Sequence, residues 1–316
     1  MQEKMRIGIS SCLLGNAVRW NAGHKQDKYL INTLGQFVEY VPVCPEVEAG
    51  FGVPRESMRL VGDPEKPRLI TFKSKTDATG QMTHWVKKRV KELAAEDLCG
   101  FIFKSDSPSS GMIRVKVYNE KGMPEKKGVG MFARAFMDRF PLIPAEDDGR
   151  LHDPAIRENF IERIFTLKRW RDTVAASRKM GGLVDFHTRN KLLILSHSQK
   201  IYRVMGKLVA KGKHTSPKER LQQYVELLMA ALALKTTTKK NINVLQHLMG
   251  YFKQHLSGDE KQELLETFDL YRHEQVPLIV PITLINHYVR KYDQPYLKKQ
   301  TYLNPHPLEL RLRTYI

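Results

Sequence analysis

Short apolar runs, each ending in a loop of serine, proline or glycine, organise the first half of the chain, and longer amphipathic stretches organise the second. Residues 6–10, 39–42, 100–104 and 114–118 are brief runs rich in Ile, Val, Phe and Tyr and read as strands, with a shorter one at 142–144. Helical spacing at 28–34, 83–96 and 131–140 falls between them. That alternation predicts an α/β domain built on a Rossmann-like, mostly parallel sheet. At Asp153-Pro154, an N-cap followed by a first-turn proline, the period changes to helix. Residues 155–171 are amphipathic, and 190–211, 217–234, 241–256, 259–274 and 280–292 read as five further helices. Residues 177–184, with the pair Gly181-Gly182, read as a linker. The expected organisation is an α/β domain over 1–153, a connecting helix and linker over 154–184, and an all-α domain over 185–316.

Chemistry gathers at the strand ends. In a parallel sheet the ligand crevice lies beyond the carboxyl ends of the strands, so residues that follow each strand converge. Cys12, Cys44, Glu46, Ser107 and Ser110 meet that condition, whereas Cys99 begins its strand and reads as a buried small hydrophobe. Two thiols at strand ends suggest a sulfur or iron centre. Glu46, two residues after Cys44, suits general acid–base work, or alternatively pairs with Arg19, Arg55 or Lys104. Gly128-Val-Gly130 is too short for a dinucleotide fingerprint and reads as a turn into the 131–140 helix. His24, Arg150 and His152 are further candidates for the crevice.

These residues resemble the thiouracil desulfidase family, whose signature runs Ser-x-Cys-Leu-Leu-Gly, then Cys-Pro-Glu, then Lys-Ser-x-Ser-Pro-Ser-Cys-Gly. The chain carries the first at 10–15, the second at 44–46 and most of the third at 104–111. The similarity extends through 50–55, 114–118, 128–134 and 148–154. Beyond it, 186–191 and 277–281 resemble the helical domain fused to this module in tRNA 4-thiouridine desulfidases. The resemblance implies removal of sulfur from 4-thiouridine in tRNA, giving uridine and sulfide, through a 4Fe-4S cluster held by three cysteines with one iron left open. Carried over by position, Cys12 and Cys44 are cluster ligands, Glu46 a proton donor or acceptor, and Ser107 a substrate-orienting hydroxyl. Where the family pattern has its third cysteine, this chain has Ser110. Serine oxygen is a harder ligand than thiolate, so the cluster is expected to be labile or absent. A non-catalytic RNA-binding protein with a degenerate cluster site, and a desulfidase of free thiolated bases or nucleotides, remain as alternatives.

Charge separates the halves. Residues 1–150 hold 24 Lys and Arg against 19 Asp and Glu, a net of +5, while 151–316 hold 28 against 15, a net of +13. An imbalance across a whole domain is the footprint of a polyanion binder, and tRNA or another thiolated RNA is the expected partner. The candidate RNA contacts are Arg189, Lys191, Lys200, Lys207, Lys211, Lys239, Lys240, Arg290, Lys291 and Lys298. Tyr288, Tyr292, Tyr296 and Tyr302 lie among the last of these, for base stacking or for packing along a helix face. No apolar run is long enough to span a bilayer, and three cysteines fit a reducing compartment. A cytoplasmic protein is therefore expected, with no membrane association and no obligate protein partner.

Overall fold

The computed structural model describes residues 4–177, 180–210 and 216–315. Its first unit, Met1–Asp153, alternates strand and helix: β1 (Met5–Ser10), α1 (Lys28–Asn32), β2 (Val38–Val43), α2 (Pro45–Glu48), β3 (Met58–Val61) and β4 (Arg68–Thr71). It continues through α3 (Thr79–Leu93), β5 (Gly100–Phe103), β6 (Val115–Tyr118), β7 (Pro124–Gly128), α4 (Met131–Arg139) and β8 (Ala145–Asp147). One sheet has the order β2-β1-β5-β8 and is parallel throughout. The second, β4-β3-β6-β7, joins antiparallel pairs through the parallel contact of β3 with β6.

Burial explains the apolar runs. Every residue of β5 is buried and only Arg6 of β1 is not, as expected of strands covered on both faces. The core between the sheets and α3 and α4 is aromatic: Phe101 stacks on Phe103 at 4.3 Å between ring centroids, and Phe132 and Phe136 meet them edge-on or tilted. Gly8 makes that stack possible, because a Cβ there would sit 2.2 Å from Cδ2 of Phe101. The last strand begins at Ala145 rather than at 142, since Pro141 and Pro144 have no N–H for the ladder.

The second unit, Pro154–Ile316, contains α5 (Pro154–Ala176), α6 (Met180–His197), α7 (Gln199–Ala210), α8 (Pro217–Ala233), α9 (Thr238–Gly250), α10 (Gly258–Arg272), α11 (Ile279–Lys291) and α12 (Pro295–Lys298). The expected linker is mostly helix: residues 180–184 open α6, and 178–179 lie outside the described residues. Burial of Leu183, Phe186 and Leu193 along α6 outweighs the helix cost of Gly181 and Gly182, about 1 kcal/mol each. The single helix expected over 190–211 divides at Ser198, whose Oγ accepts the Ile201 N–H and restarts the chain as α7. Capping boxes at Ser216/Glu219 and Ser257/Glu260 open α8 and α10.

A buried ion network ties the C-terminal tail to α5. Arg313 donates through Nε to Glu158 Oε1 at 3.3 Å, through Nη2 to Glu162 Oε1 at 2.7 Å and through Nη1 to the Tyr302 carbonyl at 2.6 Å. His197 Nε2 lies 3.1 Å from the other oxygen of Glu162. Burial alone would push Glu162 up, but the bond to His197 and the Arg313 charge outweigh it and hold the carboxyl down at about 2. No helix among the described residues is long and apolar enough to cross a membrane.

Candidate functional site

The carboxyl ends of β2, β1 and β5 lie side by side, with Ser10 opposite Val43 and Ile9 opposite Ile102. Their loops enclose a cavity of about 390 Å³ whose lining includes Cys12, Cys44, Glu46, Ser107 and Ser110. All five strand-end candidates thus share one pocket. Cys99 is buried at the opposite end of β5, and its N–H bonds the Arg6 carbonyl. His24, Arg150 and His152 are not part of the lining. Arg150 instead holds Glu146 through two hydrogen bonds of 2.6 and 3.2 Å.

Each residue is placed by local chemistry. Cys12 occupies a 3₁₀ turn that closes on Gly15 in the left-handed region, and the Cys12 carbonyl accepts the N–H groups of Gly15 and Lys25. Cys44 is the N-cap of α2, with Pro45 at the first helical position and the Cys44 N–H donating to Glu48 Oε1 at 2.8 Å. The loop after β5 is held by α4. The Ser109 carbonyl accepts the Phe132 and Ala133 N–H groups, which would otherwise be unpaired at the start of the helix. Gly130 is needed for that approach, because a Cβ there would lie 2.6 Å from the same carbonyl oxygen. The Gly128–Gly130 turn therefore serves to seat the serine loop.

Glu46 is the hub. Its Oε2 accepts from Arg55 Nη2 at 2.9 Å, and its Oε1 accepts from Ser109 Oγ at 2.5 Å and lies 3.5 Å from Ser107 Oγ. The pair with Arg55 that the spacing allowed is present, and it leaves the other oxygen to the serines. Ser107 Oγ accepts the N–H groups of Ser109 and Ser110 at 3.3 and 3.1 Å. Because Ser109 gives its one hydroxyl proton to Glu46, Ser107 is the donor across the 3.0 Å gap to Ser109 Oγ. A directed chain, Ser107 to Ser109 to Glu46, results. Sequence reasoning passed over Ser109, which is fully buried, and Trp20, a half-exposed member of the lining. A run of serines gives no sign of which one points inward.

Burial pushes both thiols up to about 11, with the Glu46 charge adding to the effect at each. Lys104 opposes it at Cys12, and is itself held 3.0 Å from Asp148. At neutral pH the thiols are thus protonated unless a cation draws the protons off, which is how thiols bind metals. Among the described residues no three His, Cys, Asp or Glu side chains form a metal-binding group. The donors that fit an iron-sulfur group are two thiols and the Ser110 hydroxyl, a set with one oxygen where three thiolates are the softer choice.

Residues 7–148 match the family described as 2-thiouracil desulfurase, and 191–307 match a family described as a protein of unknown function, DUF1722. The chain is 33% identical over 152 residues to the uncharacterized protein YbgA of Escherichia coli (strain K12), covering 48% of this chain and 90% of that protein. The chain carries a segment of the 2-thiouracil desulfurase family over 7–148. Among solved structures, the [4Fe-4S]-dependent thiouracil desulfidase TudS is similar at 24% identity and a TM-score of 0.40, covering 49% of this chain and 98% of that one. The cavity at Cys12, Cys44 and Glu46 lies wholly within the family-matched segment.

The expected RNA contacts of the helical unit have varied surroundings. Lys200, Lys207, Lys239 and Arg290 are exposed and make no ion pair among the described residues. Arg189 pairs with Asp185 at 2.5 Å, Lys291 with Glu260 at 2.6 Å, and Lys298 with Asp293. Lys191 lies over the Tyr296 ring, 5.0 Å from its centroid. Lys240 has a structural task instead, donating to the carbonyls of His197 and Lys235 at 2.8 Å each. Lys211 lies outside the described residues. Tyr288 and Tyr302 are buried packing residues, whereas Tyr296 stacks on the exposed Tyr251 at 5.0 Å.

Proposed function

We propose that this protein removes sulfur from 4-thiouridine in tRNA, giving uridine and sulfide, with an iron-sulfur group held by Cys12, Cys44 and Ser110. The observation that carries the reading is the Glu46 carboxylate, anchored on one side by Arg55 and supplied with protons on the other by Ser109 and Ser107, in the same cavity as both thiols. Net chemistry is hydrolysis: thiocarbonyl and water give carbonyl and hydrogen sulfide, so no oxidant or reductant is consumed. Bound there, the group supplies a soft metal position for sulfur. Glu46 takes a proton from the water that adds to the ring carbon bearing sulfur and returns it as sulfide departs. Ser109 and Ser107 orient that carboxylate and relay the proton. Arg55 keeps it fixed before attack. A reconstituted chain that carries iron yet leaves the near-ultraviolet absorbance of thiolated tRNA unchanged contradicts the reading.

Ser110 marks how firmly the group is held. A chelator strips iron from this chain roughly tenfold faster than from Ser110→Cys, because thiolate is the softer donor. Equal rates would show that Ser110 is not a ligand.

The helical unit, with its net charge of +13 over 151–316, is the candidate tRNA-binding surface. Four exposed cations meeting phosphate give a slope of log affinity against log salt of about −3, so a fourfold rise in salt weakens tRNA binding roughly 60-fold. Each of Lys200→Ala, Lys207→Ala, Lys239→Ala and Arg290→Ala reduces that slope by roughly 0.7–0.9. An affinity indifferent to salt, measured by filter binding, rules this surface out and favours free thiolated bases as substrates.

A further inference from the structure

We infer that Trp20 is the platform on which the planar ring of the substrate stacks, a positioning residue that also selects for aromatic rings; this rests on the desulfidase reading above. Trp20 is 49% exposed, while Trp85 and Trp170, the other tryptophans of the chain, are 9% and 5% exposed. Trp20 lines the cavity and keeps about half of its surface in water, so apolar ring surface there is open to a planar ligand.

The backbone around Trp20 is fixed. The Trp20 carbonyl accepts the Arg55 N–H at 2.8 Å, and the flanking turn is closed by hydrogen bonds from Arg19 N–H to Gly23 and from Ala22 N–H to Arg19. Arg55 also donates to the Val18 carbonyl at 2.9 Å and to Glu46 at 2.9 Å. One arginine therefore sets the indole's backbone and the catalytic carboxylate in a single frame. The rest of the lining mixes hydroxyl, thiol and charged groups, which can hydrogen-bond the edge of a ring, with the apolar side chains of Val18, Val43, Pro45, Met58 and Pro108, and holds no other aromatic ring. Trp20 supplies the flat face, and stacking leaves the ring edge directed at the polar groups.

The test uses the full chain with Trp20→Phe and Trp20→Ala, probed with uridine 5′-monophosphate, which does not absorb where indole emits. Saturable quenching of tryptophan emission is expected in the native chain and not in either variant. With thiolated uridine monophosphate as substrate, Trp20→Ala raises KM about 5- to 100-fold, the range of base–aromatic stacking, and changes kcat less than about threefold. Trp20→Phe stays within about threefold of native in both, because an aromatic face remains. Absent quenching in the native chain, or an unchanged KM in Trp20→Ala, overturns the assignment. The two readings fail separately. If no thiolated pyrimidine releases sulfide, the desulfidase proposal falls, while quenching lost in both variants still establishes the stacking platform.

Discussion

Glu46→Gln lowers kcat for desulfidation by about 10²- to 10⁴-fold, the span of a lost general acid–base group, with KM changed only a few-fold. Glutamine has nearly the same shape and still accepts from Ser109 through its amide oxygen. It cannot take a proton from water, and it cannot neutralise Arg55, whose side chain is 7% exposed beside a glutamate side chain that is 15% exposed. Arg55 keeps its bonds to the carbonyls of Val18 and Gly52, so the cavity retains its shape. Iron content, measured alongside, separates chemistry from cofactor loss. A variant with native iron and native kcat would remove Glu46 from the mechanism.

Arg313→Ala destabilises the chain by about 3–5 kcal/mol, because it strips the shared partner from two carboxylates and leaves their charge buried. At roughly 2–4 °C per kcal/mol for a unit of this size, the thermal transition of the helical unit falls by about 6–20 °C. The two carboxylates respond to pH in opposite senses, because burial and the neighbouring Glu162 charge push Glu158 up whereas Glu162 is held down. Glu162 titrates lower in the folded chain, at about 2, than an ordinary carboxylate. Its contribution to stability is therefore complete above the ordinary carboxylate range and is lost as pH falls through that range toward 2. Without Arg313 this acid dependence flattens. A melting temperature within about 2 °C of native at neutral pH would show that the network contributes little.

The cavity end of the sheet was legible because β1 and β5, buried along nearly their whole length, are near-continuous apolar runs, and β1, β2 and β5 each end in a loop that breaks the run. That pattern alone places Cys12, Cys44, Glu46, Ser107 and Ser110 together. The second sheet was not legible. β7 reads Pro-Glu-Lys-Lys-Gly with only its last residue buried, and β3 and β4 have four residues each, too few to show a period. Gly181-Gly182 read as a break, yet tertiary burial along α6 overrides their propensity. Lys240 has the same local pattern as a solvated lysine, and only the fold shows that it closes two helix ends. Ser109 was hidden for a similar reason. Its role depends on α4, which arrives some twenty residues later and takes its carbonyl as a cap.

The most direct measurement counts sulfide against 4-thiouridine lost from tRNA, without oxygen, for the iron-loaded chain and for Ser110→Cys. Hydrolytic desulfidation at Glu46 predicts one sulfide per thiouridine converted to uridine in both proteins, at a rate that Glu46→Gln lowers by about 10²- to 10⁴-fold. If both proteins hold iron and bind tRNA but neither releases sulfide, the cavity is not a desulfidase site.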